Sequence, residues 1–75
     1  MNLNEFVEKF AEQFDDTSFE SFTPTTVFKE LEEWSSLTAL SIIAMVDEEL
    51  EKRITGADIR SSNTIEDLYN LTIAK

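Results

Sequence analysis

The sequence predicts an all-α domain: a small helical bundle of three main helices plus one short helix, with a long first loop. Three observations predict it. Apolar residues recur at helical spacing in several stretches. Gly56 is the only glycine and Pro24 the only proline, with no hairpin dipeptide and no sustained alternation, so strands are not expected. Seventy-five residues without a cysteine form one domain, and its single small core must come from helix packing.

The first helix is expected over about Leu3–Phe14. Leu3, Phe6, Val7, Phe10 and Phe14 form an apolar stripe, Asn2 with Glu5 matches a capping box, and Asp15 and Asp16 oppose the dipole where the helix should end. Residues 15–33 form a long connection, which needs pins; Phe19, Phe22, Val27, Phe28 and Leu31 are available. A turn is expected at Pro24, and a turn or two of helix over Val27–Glu33. The second helix runs from about Ser36 to Leu50 or Glu51, with Ser35 or Ser36 as its cap. Its core stripe is Ala39, Ile42, Ile43, Val46 and Leu50, yet Leu37, Leu40, Ala44 and Met45 leave more apolar surface than a core needs. Thr55 with Asp58 caps a short third helix starting at Gly56 or Ala57. The last helix runs from about Ile65 to Ile73, capped by Asn63 with Glu66 or Thr64 with Asp67, and buries Ile65, Leu68, Tyr69 and Ile73. The expected core contains Phe6, Phe10, Phe14, Ile43, Val46, Leu50, Ile54, Leu68 and Tyr69.

Charge and composition narrow the function. Six basic residues against sixteen acids give a formal net charge of −10, which repels phosphate backbones and anionic lipid, so nucleic acid is not an expected partner. The longest apolar run, Ile42–Val46, is far short of the about 18 residues that span a bilayer. The first residues carry neither a basic region nor an apolar segment, so no signal peptide is expected and the cytoplasm is the expected compartment. Without His or Cys, the commonest general base, thiolate nucleophile and zinc ligands are missing, and no lysine forms a motif with a serine. Asp47, Glu48, Glu49 and Glu51 are dense in oxygen ligands but lack the spacing of a calcium loop; a solvated acidic face is the expectation, with no metal site.

The junction Leu31–Leu37 is the informative region. A helix N-terminus leaves N–H groups unpaired and favours anions, so a phosphate on a serine there is well placed. The plain alternative is that Ser35 and Ser36 only cap the helix. Trp34 has two readings as well: lining the approach to that serine, or closing the long loop over the core.

From Trp34 through Leu40, and on through Ile42–Leu50, the sequence resembles the acyl carrier proteins. The resemblance covers nearly the whole chain as a single acyl-carrier-like domain. Phe22–Leu31 fits the family's long first loop, and Ile54 and Thr64–Leu68 fit its later positions. It implies that Ser36 carries a 4′-phosphopantetheine arm derived from coenzyme A. On that arm an acyl or aminoacyl group rides as a thioester to partner enzymes of fatty acid, polyketide or related lipid biosynthesis. The protein is then a monomeric carrier rather than an enzyme. The implied partners are a phosphopantetheinyl transferase and acyl-transferring or acyl-activating enzymes with basic docking patches. The implied docking residues are Ser35, Leu37, Leu40, Ser41, Ala44, Met45, Asp47 and Glu48, with burial the alternative for Leu40 and Met45. Charges there speed encounter and set register. The chain departs from the pattern where Ser35 replaces the aspartate before the attachment serine, and where Thr38 and Ser41 replace frequent acids. Such a change bears on the transferase, and an unmodified interaction module docking through the second helix is the alternative function.

Overall fold

A computed structural model describes all of residues 1–75. Four α-helices form: α1 (Leu3–Ala11), α2 (Ser36–Leu50), α3 (Gly56–Ser61) and α4 (Ile65–Ile73). There is no strand; Val27 and Thr64 make one isolated antiparallel bridge.

Local chemistry sets most boundaries. At α1 the Glu5 N–H donates to Asn2 Oδ1 (2.9 Å), and the Asn2 N–H donates to Glu5 Oε1 (3.2 Å). The same reciprocal pair starts α3 with Thr55 and Asp58. Of the two candidate caps for α4, Thr64 with Asp67 is the one used. At α2 the Ser35 hydroxyl accepts from the Thr38 N–H at 3.3 Å.

The ends of α1 and the loop depart from expectation. α1 stops at Ala11 rather than Phe14, and the Phe14 N–H donates to the Ala11 carbonyl in a tighter turn that still buries the Phe14 ring. The turn aims residues 15–17 at Glu33. Its carboxylate accepts from the Asp15 N–H (3.2 Å), the Asp16 N–H (3.0 Å) and the Thr17 hydroxyl. Phe22, Phe28 and Leu31 pin the loop, whereas Phe19 and Val27 are exposed. Single 3₁₀ turns form at Phe19–Ser21 and Phe28–Glu30. A further turn at Thr23–Thr26 holds Pro24, and from there the Pro24 and Thr26 carbonyls accept from the Glu66 and Ile65 N–H groups. The loop thereby satisfies unpaired donors in the first turn of α4.

The core joins α1, α2 and α4, and its aromatic cluster is drawn from α1, the long loop and Tyr69 of α4. The Phe10 ring lies between Phe28 (5.4 Å), Phe14 (5.7 Å) and Phe22 (6.3 Å). Trp34 meets Phe28 edge-on at 4.9 Å, so it closes the loop over the core. Phe6, Phe10, Phe14, Val46, Ile54 and Leu68 are buried as expected. Ile43, Leu50 and Tyr69 are only partly buried, and Ile73 is exposed. The Tyr69 hydroxyl reaches outward to donate to the Met1 carbonyl at 3.0 Å.

One correction concerns α2. Its buried residues are Ile42, Met45 and Val46, while Ala39, Ile43 and Leu50 of the predicted stripe pack against the core only partly buried, so the core face extends past that stripe to Met45. Met45, expected to dock partners, is 4% exposed and belongs to the core. Ile43, partly buried against the core, also lines a surface groove with the segment preceding α3.

Candidate functional site

Two adjacent serines start α2 and have different jobs. Ser35 is extended (φ −156°, ψ 176°), and its hydroxyl caps the helix while lying 3.2 Å from the Thr38 hydroxyl. Thr38 in turn donates to the Glu33 carbonyl at 2.8 Å. Ser36, the first residue of α2, is exposed, and its hydroxyl enters no hydrogen bond within the protein. Of the two readings of this pair, capping falls to Ser35 alone and leaves the Ser36 oxygen free to be joined to another group.

Ser36 opens onto a cavity of about 310 Å³ lined by Lys29, Trp34, Ser35, Ala39, Gly56, Ile59 and Arg60. Trp34 therefore fulfils both of its readings, one side of the indole on the core and the residue also bounding the approach to Ser36. Further along α2 a second depression of about 300 Å³ is lined by Leu40, Ile43, Ala44, Asp47, Arg53 and Ile54. At about 100° per residue, Ser36, Ala39, Ile43 and Asp47 fall on one side of α2. The two depressions thus follow one another along the helix, beside α3 and the segment that leads into it.

The outer side of α2 carries most of the remaining docking candidates. Leu37 is 76% and Leu40 61% exposed, a large apolar presentation for a chain of this size. Ala44, Asp47 and Glu48 are exposed too. Ser41 is half-buried, and its hydroxyl donates to the Leu37 carbonyl at 3.2 Å. Leu37, Ser41, Ala44 and Glu48 share a face by their spacing. Met45 is the candidate that the structure withholds from this surface.

The electrostatics are dominated by acids. No three carboxylates converge as a bound metal ion would need. Glu33 is held below the usual carboxylate range, chiefly by the Thr17 hydroxyl and then by the Asp16 and Asp15 amides. Asp58 and Asp67 are lowered in the same direction, first by the backbone N–H groups of Thr55 and Thr64. Lys75, 3.1 Å from Asp58, lowers it further.

Two residues of this site escaped the sequence reading. Lys29 lies in the loop and Arg60 in α3, and the Lys29 ammonium donates to the Arg60 carbonyl at 2.7 Å across 31 residues of sequence. The only signal in the sequence was the scarcity of cations. No family model matches the chain, and neither does any curated protein or solved structure.

Proposed function

We propose that the protein is a carrier: Ser36 bears a 4′-phosphopantetheine arm whose terminal thiol holds an acyl or aminoacyl group for delivery to partner enzymes. The observation that carries this reading is the division of labour between the two serines. Ser35 caps α2 and Ser36 keeps an unengaged, exposed hydroxyl at the helix N-terminus. The resemblance of Trp34–Leu50 to the acyl carrier proteins points to the same oxygen. The fit is sound in chemical terms. A phosphate ester at the first residue of α2 lies at the positive end of the helix dipole. No carboxylate lines the neighbouring cavity, and a separate depression at Leu40 and Ile43 lies further along α2.

Attachment joins the Ser36 oxygen to the arm's phosphate and releases the nucleotide portion of coenzyme A. The serine proton passes to a base of the transferase. When bound, the arm supplies a thiol, which this chain without cysteine lacks. The chain's own residues then do the rest. α2 fixes the position of Ser36, while exposed Leu37, Leu40 and Ala44 beside Asp47 and Glu48 offer a small docking face for partners with basic patches. Which enzymes of fatty acid, polyketide or related lipid biosynthesis it serves follows from the cargo.

The test is the intact mass of the purified chain before and after incubation with coenzyme A and a broad-specificity phosphopantetheinyl transferase. Wild type is expected to gain one arm and Ser36→Ala none. A folded wild-type chain that gains nothing overturns the carrier reading. The second reading, an unmodified module docking through α2, is favoured by one observation, Ser35 in place of the motif's acid. It gains support if Ser35→Asp is loaded and wild type is not, since Asp caps a helix as well as Ser does.

A further inference from the structure

The six cations of this chain are not distributed as its charge would dictate. Sixteen acids surround them, so each should find a carboxylate. Lys9 does, at Glu12 and Glu49, and Lys75 does, at Asp58. The other four form no ion pair, and two of them, Lys29 and Arg60, lie together at one cavity, whereas Lys52 donates to the Lys75 carbonyl and Arg53 lines the depression near Asp47. The Lys29 ammonium spends one proton on the Arg60 carbonyl, leaving two donors free, and the Arg60 guanidinium donates to nothing in the protein. Both side chains line the cavity at Ser36, and no carboxylate lines it. The cavity is thus a cationic spot in a molecule of net charge −10.

Its construction is specific. Lys29 comes from the 3₁₀ turn at Phe28–Glu30, and its bond to the Arg60 carbonyl ties its ammonium to the end of α3, the helix that carries Arg60. Gly56, the chain's only glycine, lies beneath the arginine: a Cβ there would sit 3.3 Å from Arg60 Nη1 and crowd it. Asp58, the acid of α3, is turned to the Thr55 N–H and to Lys75, not to this cavity.

We infer that Lys29 and Arg60 form a clamp for the phosphodiester on Ser36, folding the root of the arm into the cavity beneath Trp34. This rests on the carrier reading above and extends it to two residues that the resemblance does not name. A phosphodiester carries one negative charge and two unshared oxygens. A lysine with free donors and a forked guanidinium match that demand. An arm gripped at its root is restricted at rest, and a partner's basic patch releases it by competing for the same phosphate.

The experiment loads wild type, Arg60→Gln and the Lys29→Gln/Arg60→Gln pair from coenzyme A, verifies each by intact mass, and compares apo and loaded forms. Loading is expected to raise the Tm of wild type by roughly 2–4 °C at low salt. It should displace the ³¹P resonance from that of free phosphopantetheine. In the double variant the displacement disappears, and loading lowers the Tm, because one more negative charge joins an acidic surface. Lys29→Gln also removes the bond to the Arg60 carbonyl, so Arg60→Gln, whose side chain bonds to nothing, is the control for folding; it should keep the apo Tm and lose part of the displacement. Equal ³¹P positions and equal loading-induced Tm changes in all three proteins overturn the clamp while leaving the carrier intact. A wild-type chain that takes up no arm overturns the carrier and the clamp together.

Discussion

Glu33 shows how one side chain can decide where a helix ends. Its carboxylate gathers the Asp15 and Asp16 amides and the Thr17 hydroxyl, so the chain leaves α1 early and folds back toward the start of α2. These bonds favour the ionised form and lower its pKa in the folded protein. The sign follows: at falling pH the unfolded chain takes the proton first, so stability falls. The contribution of Glu33 is complete above the unfolded carboxylate value, about 4.3, and is lost as pH drops through the lower folded value. Asp58 and Asp67 are shifted the same way and act in the same window. Glu33→Gln is therefore expected to lower the Tm at pH 7, and the gap to wild type should close as both are melted at successively lower pH below about 4. A gap that stays constant with pH would assign the loss to amide geometry rather than charge.

At the scale of elements, α2 is bounded by two different devices. Ser35 starts it with a side-chain cap, and Glu51 ends it in the left-handed region (φ 55°, ψ 36°), the chain's only positive φ. That conformation crowds a Cβ and suits glycine, and the acidic side chain also sits at the negative end of the dipole. Glu51→Gly is expected to stabilise the fold by about 0.5–1 kcal/mol, net of the chain entropy that glycine brings. Chemical denaturation of Glu51→Gly beside Glu51→Ala separates the causes. The alanine keeps the Cβ and loses the charge, so an equal gain in both would deny the backbone account. The bounds of α2 and α4 were legible because caps are local: Ser35, Thr64 and Asp67 state them within four residues. The orientation of α2 was not, because a helix with apolar residues on almost every side gives no single stripe. That Met45 is buried and Ile43 only partly so depends on what packs against α2, not on α2 itself. The place of Ser36 at the start of α2 was legible for the same local reason, whereas the Lys29–Arg60 contact joins residues that only the folded loop brings together.

The whole molecule is governed by its excess of acid. Only Glu12, Glu49 and Asp58 of the sixteen acids meet a cation, and those ion pairs are solvent-accessible and contribute little each. The protein measures 29 × 24 × 20 Å. At 0.01 M ionic strength the Debye length is about 30 Å, so every carboxylate feels every other across the whole body; at 1 M it is about 3 Å and only neighbours interact. The radius of gyration, 10.9 Å, matches the roughly 11 Å of a compact chain of this length, so even the long loop holds its charges close to the core. Unfolding separates these charges, and repulsion therefore favours the unfolded state most at low salt. The Tm is expected to rise steadily as sodium chloride is raised from 0.01 M to about 0.5 M, and to rise at lower concentrations of magnesium or calcium, which screen more effectively per ion. No three carboxylates form a site, so the divalent effect should be broad, saturate gradually and show no preference between the two cations. A Tm that ignores salt would mean that the acidic surface is already relaxed in the folded state. A sharp response to one cation alone would mean that a specific site assembles in solution. A gradual rise with both would show that the surrounding electrolyte supplies the screening that the protein's own cations, paired with only three of its acids, do not.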